Sequence, residues 1–262
     1  MNADRDTLNE MWKAGLLLGL SACDIAFGFQ SIPFRADASE PLAQGMVAHY
    51  TLDGLEGNVA SEEVDQHDAR CVAEHCPTPT AGIIGGALSF DPSTQPQYLA
   101  IQPSSALALV PAYTVTAWIE LTQPPTGPDD ACPINQTYGG GSGKWNAWQF
   151  CISPEALPTF YSITPDFCLE IAQHPVALPI GHWTHVAFEN DGAMMTLWLD
   201  GILVASTAAA APMADVDGIT LLGADLDAGS VSGAFAGALD DVRLYARAVD
   251  RDELAQLAAE TP

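Results

Sequence analysis

Between residues 45 and 248 the chain is a succession of short alternating segments, each closed by a turn-forming pair. That pattern leaves few folds open. It is clearest where Met195-Thr196-Leu197-Trp198-Leu199 and Ile202-Leu203-Val204-Ala205 flank Asp200-Gly201. An Asp-Gly pair supplies the positive φ angles of a two-residue hairpin turn, so these residues predict a tight antiparallel hairpin. Tyr113 to Leu121 places Val115, Ile119 and Leu121 on one face and Thr114, Thr116 and Glu120 on the other. This is the period of a half-buried strand, and it stops at Pro124-Pro125. His49 to Leu52 ends at Asp53-Gly54, and Gly85 to Phe90 ends at Asp91-Pro92. Ala147 to Ile152, Trp183 to Phe188 and Ala238 to Tyr245 read as further strands. Asp250 with Glu253 three residues on predicts a capping box that opens a short helix from Arg251 to Ala259. Many short strands and one terminal helix predict an all-β, two-sheet antiparallel sandwich.

Charge narrows the partners. The chain carries 33 acidic and 8 basic residues, a net charge of −25. Such a surface repels a phosphate backbone, so nucleic acid is not an expected partner. Beyond the N-terminus no run approaches the ~18–20 apolar residues of a membrane helix.

The N-terminus has export anatomy: Lys13 as the positive start, Ala14 to Leu20 as a short apolar stretch, then small residues up to Cys23. Leu20-Ser21-Ala22-Cys23 resembles the lipobox of bacterial lipoproteins. The resemblance implies cleavage before Cys23, lipidation of its thiol and a membrane held through that lipid anchor only. Met1 to Glu10 is polar and acidic, unlike a signal peptide, which points to Met11 as the true start. On this reading residues 1–23 are the signal peptide, 24–43 a tether and 44–262 the folded domain, exported to the cell envelope. The other reading of 11–23 is an apolar helix with an incidental cysteine.

Six cysteines are present. With Cys23 lipidated, Cys71, Cys76, Cys132, Cys151 and Cys168 remain, and export predicts that most form disulfides. Cys71 and Cys76 are near enough in sequence to close a small loop. Two of Cys132, Cys151 and Cys168 are left to pair, with no basis for choosing which. A zinc site using Cys71, Cys76, His67 and His75 is the rival.

In order along the chain, several segments resemble the laminin G-like domain of the concanavalin A-like lectin/glucanase superfamily. Gly45 to Gly54 resembles its opening strand and His67-Asp68-Ala69 an early loop. Gly85-Gly86-Ala87-Leu88-Ser89-Phe90-Asp91 resembles a signature of the family. Tyr113 to Ile119, His182 to Ala187, Leu197 to Gly201 and Gly237 to Tyr245 are similar to its later strands. The resemblance implies a jelly-roll sandwich, and says little about ligand, because the fold hosts lectins, glycosidases, lyases and spacers. It also implies a structural calcium where the first and last strands meet, with Asp240 as a ligand and Asp53 and Asp91 as neighbours. The alternative for these carboxylates is that they cap turns.

Catalytic constellations are weak. A retaining glycosidase needs two carboxylates about 5 Å apart. The nearest string, Glu63-Val64-Asp65-Gln66-His67-Asp68, falls in an expected loop. No nucleophile elbow or phosphate-binding Gly-rich motif is present. His182 and His185 read as structural. The expectation is therefore not an enzyme but a binding module for carbohydrate or a protein partner, the alternative being a calcium-stabilised adhesive spacer. For ligand contact, Tyr138, Lys144, Trp145 and Asn146 in a Gly-rich stretch offer flat faces and polar groups suited to a sugar. Trp148, nearby, reads either as part of that surface or as a core residue.

Overall fold

A computed structural model of the chain describes residues 42–137, 146–214, 217–227 and 229–260. The proposed signal peptide, Cys23 and most of the tether lie outside them, as do Tyr138, Lys144 and Trp145. In chain order the strands are β1 (Met46–Tyr50), β2 (Val59–Ala60), β3 (Ala69–Arg70), β4 (Thr78–Ala81), β5 (Gly86–Phe90) and β6 (Leu99–Ile101). Next come β7 (Tyr113–Leu121), β8 (Ala131–Thr137), β9 (Asn146–Ile152), β10 (Pro158–Ile163), β11 (Leu169–Gln173) and β12 (Trp183–Asn190). The last are β13 (Met194–Leu199), β14 (Ile202–Ala208), β15 (Thr220–Leu222), β16 (Asp225–Asp227), β17 (Ser230–Ser232) and β18 (Gly237–Tyr245), followed by helix α1 (Arg251–Leu257).

The strands form two antiparallel eight-stranded sheets. The first runs β14-β13-β12-β7-β18-β5-β4, with β1 also paired to β18; the second runs β11-β10-β9-β8-β15-β6-β3-β2. The hairpin β16–β17 stands apart and packs against β8.

Alternation explains which faces meet. Val115, Ala117, Ile119 and Leu121 of β7 enter the core between the sheets, opposite Trp148, Phe150 and Phe160 of β9 and β10. The Phe188 ring stacks on Phe150 with centroids 5.7 Å apart and meets Phe160 at 5.0 Å. The opposite face of β7 is also buried, because Leu254 and Leu257 of α1 cover Ala187 and Tyr245 on the outside of the first sheet. The predicted capping box at Asp250 and Glu253 is present and starts this helix. The predicted hairpin forms too, with Asp200 at φ +50° and Gly201 at φ +74°. Among the described residues no helix is long and apolar enough to cross a membrane.

Disulfides join Cys71 to Cys76 and Cys132 to Cys151, leaving Cys168 as an exposed thiol. The zinc alternative fails for a chemical reason: both of its thiols are consumed in a disulfide, and the His75 Nδ1 instead meets the Pro96 carbonyl at 2.7 Å.

Candidate functional site

On the outer face of the second sheet, side chains line up across four strands. Asn135 of β8 is in register with Gln149 of β9, Gln149 with Tyr161 of β10, and Tyr161 with Ile171 of β11. Their neighbours Trp148, Phe150 and Phe160 point inward, so alternation turns this row outward. The row runs from buried Asn135 through half-buried Gln149 and Tyr161 to exposed Ile171, beside which Leu169 is also exposed.

Two adjoining cavities, about 390 and about 420 Å³, open beside this row and share Asp129, Asp130 and Gly233. The first is also lined by Gln149, Tyr161 and Asp225. The Cys132–Cys151 disulfide ties β8 to β9 at its floor. Hydrogen bonds hold its walls. The Tyr161 hydroxyl donates to Asp130 Oδ2 at 2.8 Å, and Asn146 Nδ2 donates to the two Asp225 oxygens at 3.0 and 2.9 Å. Asn146 Nδ2 also donates to Gln149 Oε1, and the Leu226 amide donates to Asp225 Oδ1 at 2.6 Å. Burial, and then the Asp130 carboxylate, push the Tyr161 phenol up to about 12, so it is a neutral donor at neutral pH. The arrangement offers a flat apolar edge beside amides and carboxylates, a combination that suits a polyhydroxylated ligand.

Asn146, the one described member of the sequence-predicted ligand quartet, adjoins this cleft through its hydrogen bonds to the lining residues Asp225 and Gln149. Tyr161, Gln149, Asp130 and Asp225 were not expected, and only the cross-strand register brings them together. Trp148 is a core residue, 2% exposed, with its Nε1 donating to Gln136 Oε1 at 3.1 Å.

The expected calcium ligands separate into two places. Asp240 is fully buried, and its Oδ2 accepts the Ile83 and Ile84 amides at 2.7 and 2.8 Å. Asp53 Oδ1 accepts the amide of Gly86 at the end of the same loop. Asp91 does not join them. It follows the far end of β5, roughly 16 Å from Gly86 at the ordinary rise of a strand. There its side chain is exposed and caps a turn, accepting the Ser93 amide at 2.9 Å. Asp240 Oδ1 has no hydrogen-bond partner, and burial, with the charges of Asp241 and Asp53, raises its carboxyl to about 6. The unpartnered Asp240 oxygen is the feature here that suits a calcium ion, whose other oxygens would have to come from Asp53 and the backbone. Among the described residues no group of three His, Cys, Asp or Glu side chains could hold a metal.

The carboxylate string at 63–68 lies in the loop between β2 and β3, where Glu63 and Asp65 are exposed. Its neighbour Glu62 holds that loop by accepting the amides of His49, Val64, Asp65 and His67. His185 is buried, and desolvation pushes it down to about 4, so it is neutral at pH 7. His182 is exposed.

A family described as the concanavalin A-like lectin/glucanases superfamily, laminin G type, matches residues 93–255, more than half of the chain. The chain belongs to this superfamily. Solved structures agree on the fold. The binding domain of the Paraclostridial mosquitocidal protein 1 superposes with a TM-score of 0.63 at 11% identity, over 82% of this chain and 52% of that one. Domain 4 of AbnA, an extracellular GH43 arabinanase from Geobacillus stearothermophilus solved with arabinotriose, gives 0.57 at 17% identity, over 81% and 98%. Trypanosoma rangeli sialidase in complex with sialic acid gives 0.63 at 13% identity, over 82% and 32%. The superfamily domain thus spans about half of the first of these chains and about a third of the sialidase. A search of curated protein sequences finds no match.

Proposed function

We propose that this domain is a non-catalytic glycan-binding module, displayed at the bacterial cell envelope on a tether lipidated at Cys23. The observation that carries the reading is the outward row Gln149–Tyr161–Ile171 beside the polar cleft of Asp130, Asn146 and Asp225. Apolar atoms of Tyr161 and Ile171 suit the C–H face of a sugar, while the amides and carboxylates suit its hydroxyls. The arabinanase domain, matched over nearly its whole length, was solved with a neutral oligosaccharide and supports a carbohydrate ligand. Non-catalytic status is favoured because Asp130 and Asp225 are each engaged by a neighbouring side chain. A calcium-stabilised spacer is the second reading, favoured by the orphaned Asp240 oxygen.

The test is a broad glycan array probed with the full chain and its Tyr161→Ala variant, with melting curves in calcium and in chelator. Glycan binding lost in the variant, with no sugar turnover, supports the module. Silence on the array together with a calcium-dependent rise in Tm supports the spacer instead.

A further inference from the structure

We propose that the cleft on the second sheet takes the interior of a linear glycan chain, laid across the strands over several sugar units, and does not read a single terminal sugar. The inference rests on the glycan-binding reading above and names the form of glycan that the site takes.

Three observations carry it. First, the contact groups lie along a line. Gln149, Tyr161 and Ile171 are cross-strand neighbours on β9, β10 and β11. Adjacent strands lie about 4.8 Å apart, so these three side chains alone span about 10 Å, the reach of roughly two sugar rings. The line runs to the edge of the sheet, because β11 is its end strand. Leu169, on the same face of β11 as Ile171, is also exposed there.

Second, the line continues in the other direction beyond the strands. The cavity beside Tyr161 adjoins the one that reaches Gln123 and Thr126, and Asp129, Asp130 and Gly233 belong to both. Cavities of about 390 and about 420 Å³ are each of the size that encloses a whole small ligand, and a single sugar ring fills only part of either.

Third, the chemistry is spread along that path. At β11 it is apolar, with Ile171 and Leu169. Midway the Tyr161 ring stands beside the Gln149 amide, and its hydroxyl is held on Asp130 Oδ2 at 2.8 Å, which fixes the ring in place. In the further cavity Gln123 and Thr126 are exposed and bring an amide and a hydroxyl. A single neutral hydrogen bond adds only about two- to tenfold to an affinity. Contacts of that size at separate points along a path reward a ligand long enough to make several of them at once. Recognition of a chain end needs the opposite arrangement, with polar groups converging on one sugar.

The test is titration of the full chain with oligosaccharides of one to six units prepared from arabinan, xylan, mannan and β-glucan. Hexamers of each series blocked at both termini by a bulky group are titrated beside them. Tyr161→Ala stands for the middle of the path, and Ile171→Ser and Gln123→Ala for its two ends. Ile171 and Gln123 are exposed, so these two substitutions leave the fold intact, and melting curves check all three.

The expected result is an affinity that rises at least tenfold from dimer to hexamer in the series that binds, with blocked hexamers as good as free ones. Tyr161→Ala weakens every length. Ile171→Ser and Gln123→Ala leave the dimer within about twofold and each reduce hexamer binding by about two- to tenfold. A monosaccharide or dimer bound as tightly as the hexamer, or binding lost on blocking the termini, would overturn the chain-interior reading and leave the binding module standing. A gain with length that is indifferent to all three variants would overturn this cleft as the site. Silence at every length of every series would overturn the binding reading for these glycans and this inference with it.

Discussion

Glu189 gives a pH signature that can be worked out from the structure. It lies on β12, 8% exposed, where the segment leading into α1 crosses the first sheet. Its Oε2 accepts the Thr114 hydroxyl at 3.2 Å and the Val249 amide at 3.1 Å. Burial pushes its carboxyl up to about 7. The Thr114 and Val249 hydrogen bonds and Arg247 work against that rise, and Asp191 adds to it. In the unfolded chain a Glu titrates near about 4.3. Between those values the native state holds a proton that the unfolded state has lost, so this residue's contribution to stability falls as pH rises through the interval. A gap of roughly 2.7 units at 1.36 kcal/mol each sets an upper bound of ~4 kcal/mol, and partial solvent access reduces it to ~1–3 kcal/mol. Glu189→Gln keeps an acceptor oxygen for Thr114 and Val249 and cannot ionise. It should match the wild type near pH 4 and exceed it by ~1–3 kcal/mol at pH 8.5, a Tm difference of roughly 2–12 °C for a domain this size. His185 also titrates on unfolding, with the opposite sign: its folded value is depressed, so its contribution is lost as pH falls from its ordinary value towards about 4. Subtracting the two melting profiles removes that shared background. A Tm difference that stays constant from pH 5 to pH 8.5 would refute the assignment of Glu189 as a buried, proton-holding carboxyl.

Gly201→Ala should cost about 1–3 kcal/mol, read from urea denaturation. Its φ of +74° disfavours a side chain, and an added Cβ would stand 3.0 Å from the Ala255 Cα of α1. A change under about 0.5 kcal/mol would show that the hairpin and helix can shift apart freely. Replacing Cys132 and Cys151 together by Ser opens a loop spanning a sequence separation of 19 and should cost ~3 kcal/mol, seen as a lowered Tm. Because that disulfide also floors the cleft, the same variant should lose affinity for any Tyr161-dependent glycan by more than the Gly201 variant does.

Local rules reach most of the first sheet and, in the second, only β9. On β7, β13 and β18 one face enters the core, so apolar residues alternate and the strands can be read directly. Asp200-Gly201 and Asp250 with Glu253 are legible because their chemistry closes within a few residues. The strands β8, β10 and β11 hide for a physical reason. Their inward positions include polar side chains satisfied by distant partners: Gln136 donates to the Leu107 carbonyl at 2.8 Å and accepts from Trp148 at 3.1 Å. Pro133 lies inside β8, where the register slips between Ala131 and Ile134, and Pro158 opens β10; both read as breakers when met in sequence. The same blindness hides the site. Tyr161 looks ordinary until β9 and β11 set Gln149 and Ile171 on either side of it. Asp130 and Asp225 acquire meaning only when Tyr161 and Asn146 reach them from other strands. The choice among Cys132, Cys151 and Cys168 stays open in sequence for that reason too, since the pairing of β8 with β9 decides it. Asp53 and Asp240 were legible as a pair because both sit in family-like motifs that flank one loop. Asp91 sits in such a motif as well, yet strand length carries it to the opposite end of β5. Motif resemblance therefore identifies side chains that the fold can bring together, and the register of the sheets determines which of them meet.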